Sequence, residues 1–174
     1  MLLRCLSANP QTPLPTRLPE VVWRRGIDLD PVDVHNTNAT RWLEALVWPG
    51  EGDRLARLRA ALQVARQQRP QVVQRDLRDA LQPVVAGVPV SATLVVFHSA
   101  VLAYVPANER AAFVEQVRKL GAVWIANEAA AVLPEVQQQI GDDELAAHQG
   151  NFLLSWNGTP VAWTDPHGEW ISWR

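Results

Sequence analysis

Four polar residues close two apolar runs. His98 and Ser99 end the run TLVVFHS, and Asn127 and Glu128 end the run AVWIANE. An imidazole exchanges a proton near neutral pH, so His98 is the candidate catalytic residue, a general base or polar ligand contact. The competing reading is a histidine satisfied within its own strand end. Ser99, Asn127 and Glu128 add a hydroxyl, an amide and a carboxylate, groups that orient a small polar ligand. Capping of the following turn competes with that role at Asn127 and Glu128. Runs this short suit strands buried on both faces. Between them, Pro106 and Asn108-Glu109 mark a helix start, and Phe113, Val114, Val117 and Leu120 recur at helical spacing up to Gly121. The order strand, loop, helix, strand predicts a parallel pair. In an open parallel sheet, ligands sit outside the carboxyl ends of the strands. The four residues then share one rim, with Tyr104 in the loop beside them.

Other groups are candidates for weaker reasons. Asp28 and Asp76 each stand at or just after a predicted strand end, where a carboxylate accepts from ribose hydroxyls or an adenine amine. Loop solvation or helix capping accounts for either equally well. Asp165-Pro166-His167-Gly168 brings a carboxylate and an imidazole into one turn, a composition that also arises for local reasons. A hydrolase pairing His98 with Asp165 is a further option. His98, Glu128, Asp165 and His167 lack the spacing of a metal site, so no metal is expected. No nucleophile elbow, phosphate-binding loop or dinucleotide fingerprint is present. Cys5 lies in a terminal segment and is a poor nucleophile candidate.

The elements that must position these groups alternate between strand and helix. Four prolines in NPQTPLPTRLP predict an extended segment over residues 1–20. Residues 21–174 read as one α/β domain. Val21–Arg24, running on to Asp28, and Gln71–Gln74 read as strands. Asn38 or Thr40 can cap a helix through Trp42, Leu43, Leu46 and Val47. Asp53 can cap the next, with Leu55, Leu58, Leu62 and Ala65 as its buried stripe. Arg54, Arg57, Arg66 and Arg69 fall largely elsewhere, as a solvated face. Leu77–Val85 reads as helical. Asn157-Gly158, between two apolar runs, is a strong hairpin signal, and Glu169–Trp173 alternates like an edge strand.

Composition narrows the function classes. The 174 residues are 48% hydrophobic and 20% charged, ordinary for one globular domain. A net charge of −2 argues against a general nucleic-acid or anionic-membrane binder. Cys5 is the one cysteine, so no internal disulfide forms. The amino end lacks a signal-peptide core, and no run approaches a membrane span, so a cytoplasmic location is expected. Eight tryptophans are many for this length, and four fall between Trp156 and Trp173.

The segments RRGIDLDPVDV, RWLEALVWPGEGDRLARLRAAL, VVFHSAVLAYVPANERAAF and AWTDPHGEWISW together resemble an uncharacterised bacterial family, a domain of unknown function. Proteins of that family look similar in fold to class I S-adenosylmethionine-dependent methyltransferases. The resemblance implies a Rossmann-like, three-layer α/β sandwich with a mostly parallel sheet ending in an antiparallel hairpin. In that sheet strands 3, 2, 1, 4 and 5 lie side by side, and the seventh lies between the fifth and sixth. By this analogy the chain carries strands 2 to 5 and the hairpin, and lacks the first strand with its cofactor-cradling glycine loop. The implied cofactor is S-adenosylmethionine, with Asp28 at the ribose, Asp76 at the adenine and His98 near the transferred methyl. Tyr104 and the Trp163–His167 turn, with Asp165 and His167, would line the substrate pocket. The implied function is a methyltransferase-like protein, truncated or degenerate, acting on a small molecule. The alternative is a non-catalytic interaction module using the tryptophan-rich tail. A sheet lacking its central strand also predicts self-association through an open edge.

Overall fold

The computed structural model describes residues 4–10 and 12–174. They form two compact units, residues 21–87, and residues 4–20 together with 88–174. The proline-rich segment therefore belongs to the larger unit. It is not loop throughout, because Leu6–Ser7 forms strand β1.

In the smaller unit, β2 (Gly26–Asp28) and β3 (Val72–Gln74) pair in parallel, with Gly26 opposite Val72. A Cβ on Gly26 would come within 3.2 Å of a Val72 methyl, so glycine suits this close crossing. Helix α1 (Thr37–Ala45) begins one turn earlier than Asn38 or Thr40 suggests. Asn36 is its cap, accepting from the N–H groups of Asn38 and Ala39. Helix α2 (Gly52–Gln68) has no side-chain cap; Asp53 sits in its first turn, where its charge favours the positive end of the dipole. Helix α3 (Leu77–Val85) matches its predicted bounds and is capped by Asp76.

The larger unit contains β4 (Val95–Ser99), α4 (Ala107–Lys119), β5 (Val123–Ala129), α5 (Pro134–Gln137) and α6 (Asp142–Ala147). Strands β6 (Phe152–Trp156), β7 (Thr159–Thr164) and β8 (Trp170–Trp173) follow. Its sheet runs β1-β8-β7-β6-β5-β4. The β4–β5 unit is parallel, as the crossover helix predicts. The sheet as a whole is mixed rather than mostly parallel. Only β1–β8 joins β4–β5 in being parallel, and the three junctions from β5 to β8 are antiparallel. Short turns account for β6–β7 and β7–β8, since such turns join only antiparallel neighbours, whereas β5 reaches β6 through a longer segment that carries α5 and α6. Asn157 and Gly158 both take positive φ, 50° and 79°, the hairpin geometry their sequence predicts.

The tail also departs from the methyltransferase order. Strand β6 lies directly against β5 and β7 lies outside it, so these strands follow one another as a meander. Strand β8 is not an edge, because β1 covers it. Among the described residues, β4 ladders only with β5 and β2 only with β3.

Alternation along β5 defines two sheet faces. Trp124, Ala126 and Glu128 are buried, and Leu153, Ser155 and Trp163 of β6 and β7 are buried too. His98 meets Phe113 of α4 edge-on at 5.7 Å, so α4 covers the face that carries His98. The other face carries Phe97, Ile125 and Trp156 in one cross-strand row. No helix among the described residues is long and apolar enough to cross a membrane.

Candidate functional site

The structure brings two of the predicted residues into direct contact. Strand register sets His98 opposite Ala126, two positions before Glu128 on the same face of β5. There His98 Nδ1 lies 2.7 Å from Glu128 Oε1. The same oxygen accepts from the backbone N–H of Val101 at 2.9 Å and of Leu102 at 3.1 Å. His98 Nε2 accepts the indole N–H of Trp124 at 3.0 Å. An accepting Nε2 assigns the ring proton to Nδ1, which donates to the carboxylate.

This arrangement is nearly dry. The Glu128 side chain is 2% exposed and that of His98 8%. Burial pushes the Glu128 carboxyl up. The hydrogen bonds from His98 and from the Leu102 and Val101 N–H groups outweigh that, and it sits below the usual carboxylate range. Its second oxygen, Oε2, is buried with no partner among the described residues. Both nitrogens of His98 are engaged, so the ring offers no lone pair to a substrate in this arrangement. It organises its surroundings instead.

What it organises is the turn after β4. Ala100 takes φ +55°, a left-handed conformation that is costly for a residue with a Cβ. That bend aims the next two N–H groups at Glu128 and starts a short 3-10 turn, Leu102–Tyr104. Leu102 is fully buried there, whereas Tyr104 stands out into solvent.

On the opposite face, Asn127 links Ser99 and Thr164. Its amide donates to Ser99 Oγ at 3.2 Å, and its carbonyl accepts from Thr164 Oγ1 at 2.8 Å. The strand directions set these residues at the same end of the sheet as the Asp165–Gly168 turn. Asp165 does not pair with the His167 ring. Its carboxylate accepts the backbone N–H groups of His167 and Glu169, closing the turn locally.

Asp28 and Asp76 lie in the smaller unit. Asp28 ends β2 and one of its oxygens accepts the Asp30 N–H. Asp76 caps α3, and Arg78 engages it through both its backbone N–H and its guanidinium. The Arg78 guanidinium, then its N–H, holds the Asp76 carboxyl down to about 2. Asp76 thus serves as a helix cap with one bond to each oxygen, and Asp28 has one bond, from the Asp30 N–H, to one of its oxygens. Among the described residues, no three metal-ligating side chains converge.

Sequence reasoning missed Trp124. Only the pleat reveals it, since its face is shared with Glu128 and, across the ladder, with His98. Of the tail tryptophans, Trp163 is buried, donating to Glu144 and stacking on His148 at 4.5 Å, while Trp156 is exposed.

The larger unit is thus a mixed α/β arrangement whose strand-end turn is clamped by a buried carboxylate. Residues 1–173 match the family described as an uncharacterized protein conserved in bacteria, DUF2332, and the chain belongs to that family. No curated protein and no solved structure matches the chain.

Proposed function

We propose that this is a methyltransferase-like α/β protein whose larger unit binds a small molecule at the carboxyl ends of β4 and β5. His98 acts there as a positioning residue. The observation that carries this reading is the gathering of three donors on Glu128 Oε1, which fixes the turn from Ala100 to Tyr104. Strand ends of a parallel pair are the usual ligand position in open sheets. Ser99, Asn127 and Glu128 supply polar groups at that end, and Tyr104, Asp165 and His167 flank it in the substrate role. S-adenosylmethionine is the cofactor class that the fold resemblance suggests, and Asp28, in the smaller unit, is the ribose acceptor which that resemblance implies; no transfer step is derived through it.

Calorimetric titration with S-adenosylmethionine and S-adenosylhomocysteine tests the cofactor. Saturable binding that weakens in Asp28→Ala supports it. No binding by a cooperatively folded sample overturns it.

A second reading is favoured by one observation. Phe97 is 77% exposed and Trp156 54% exposed, and Ile125 joins them in a single apolar row. Large aromatic side chains dominate interaction hot spots. In this reading the chain is a non-catalytic module that associates, with itself or a partner, through that face and the open edge of β4. Sedimentation velocity over a range of protein concentrations separates a monomer from a self-associating chain.

A further inference from the structure

A cavity lies on the α4 side of the larger unit, next to Trp124. It is a cleft of about 300 Å³ in the larger unit, between α4 and residues 132–136. Val114, Trp124, Leu133 and Val136 make it largely apolar, and its charged lining is two arginines, Arg110 and Arg118, with two glutamates, Glu115 and Glu135. This volume falls at the small end of ligand pockets, which hold roughly 300–1,000 Å³.

The two arginines differ in their partners. Arg118 is bound by Glu115 at 3.1 Å and Glu135 at 2.6 Å, so its charge is matched twice over. Arg110 meets only neutral acceptors. Its Nε donates to the Val105 carbonyl at 2.7 Å and its Nη1 to the Val132 carbonyl at 3.0 Å. Among the described residues, no carboxylate pairs with it. The guanidinium of this half-buried residue is thus anchored by two backbone carbonyls and has no carboxylate partner of its own. A fixed guanidinium suits a carboxylate, because little ordering remains to be lost on binding. Around Arg118 the carboxylates outnumber the cation, which disfavours a second anionic group there.

We infer that this cleft binds a small monocarboxylate with an apolar body, its head group on Arg110 and its tail over Trp124, Leu133 and Val136. The cleft shares Trp124 with the His98 network, but its head-group residue, Arg110, makes no bond to that network, so loss of octanoate binding in Arg110→Gln tests the cleft and not the strand-end reading.

Octanoate, below its micellar range, is the probe. Two-dimensional NMR of the full chain reads the Trp124 indole N–H, assigned through Trp124→Phe. Saturable shifts of that resonance are expected, with octylamine failing to saturate at the same concentrations. Arg110→Gln should weaken octanoate binding roughly tenfold or more, the usual scale for a charge-assisted hydrogen bond. Ala111→Trp, at an exposed position lining the cleft, should abolish binding while leaving Arg110 in place. If Arg110→Gln does not fold, Ala111→Trp decides alone. Absence of saturation at millimolar octanoate, equal binding of octylamine, or unchanged binding in Ala111→Trp would each overturn the inference.

Discussion

Trp124 donates its indole N–H to His98 Nε2 at 3.0 Å, and this single bond decides what the histidine can be. With Nε2 accepting, the proton belongs on Nδ1, facing Glu128. Nitrogen-resolved NMR of the imidazole should therefore report the Nδ1–H tautomer. Trp124→Phe removes that donor but leaves the Glu128 carboxylate facing Nδ1, so the variant should keep the Nδ1–H form and lose only the indole bond. A native ring already in the Nε2–H form would contradict the assignment.

The carboxylate on the other side of the ring carries the pH dependence. The folded Glu128 carboxyl sits below the ordinary range, so its stabilising contribution is complete above the unfolded value of about 4.3. The contribution is lost as pH falls through the lower folded value. Urea unfolding followed across that acid window should show a declining midpoint. Glu128→Gln should lack this component and be less stable at pH 7 by about 1–3 kcal/mol, because charge-assisted bonds become neutral ones in a buried place.

Ala100 holds φ +55° to aim two N–H groups at Glu128. Relief of a left-handed Cβ outweighs the added chain entropy of glycine, so Ala100→Gly should stabilise by about 0.5–1 kcal/mol. Ala100→Val should destabilise. Thermal melts of the two variants check the pair, and a stabilised valine variant would remove the strain from the account.

Phe97 and Trp156 are exposed in one row with Ile125. Replacing both aromatics with serine should leave the unfolding midpoint nearly unchanged, within about 0.5 kcal/mol for surface positions. The same double variant should lower any concentration-dependent sedimentation. A large stability loss would show that the row is packed in solution.

Much of the local structure was legible from residue types. The strands and helix from Thr93 to Glu128 follow from apolar periodicity and from Pro106 and Gly121, which in the structure has φ +62°. Asn157-Gly158 announces its hairpin because few other pairs tolerate two positive φ angles. The sheet order was not legible. Whether β6 or β7 lies against β5 depends on which strand completes the sheet, and both carry the same alternation. Asp76 shows the same limit at the site. A carboxylate before a helix can cap it, and the bond from the Arg78 N–H that shows the cap needs the folded geometry. The His98–Glu128 contact was suggested by both residues ending neighbouring strands. Its closure by Trp124 needed the register.

The two-residue strand β1 sets Leu6 beside Trp170, and Asn9 reaches the carbonyl of Trp173. Few contacts in the chain span more sequence, and closing so long a loop earns little until both flanking structures exist. The meander from β5 to β8 is built from neighbours and can zip up early. The amino segment is then the final seam of the sheet. Without it β8 would be an open edge, so the pairing of β1 is what covers the tryptophan-rich end of the sheet.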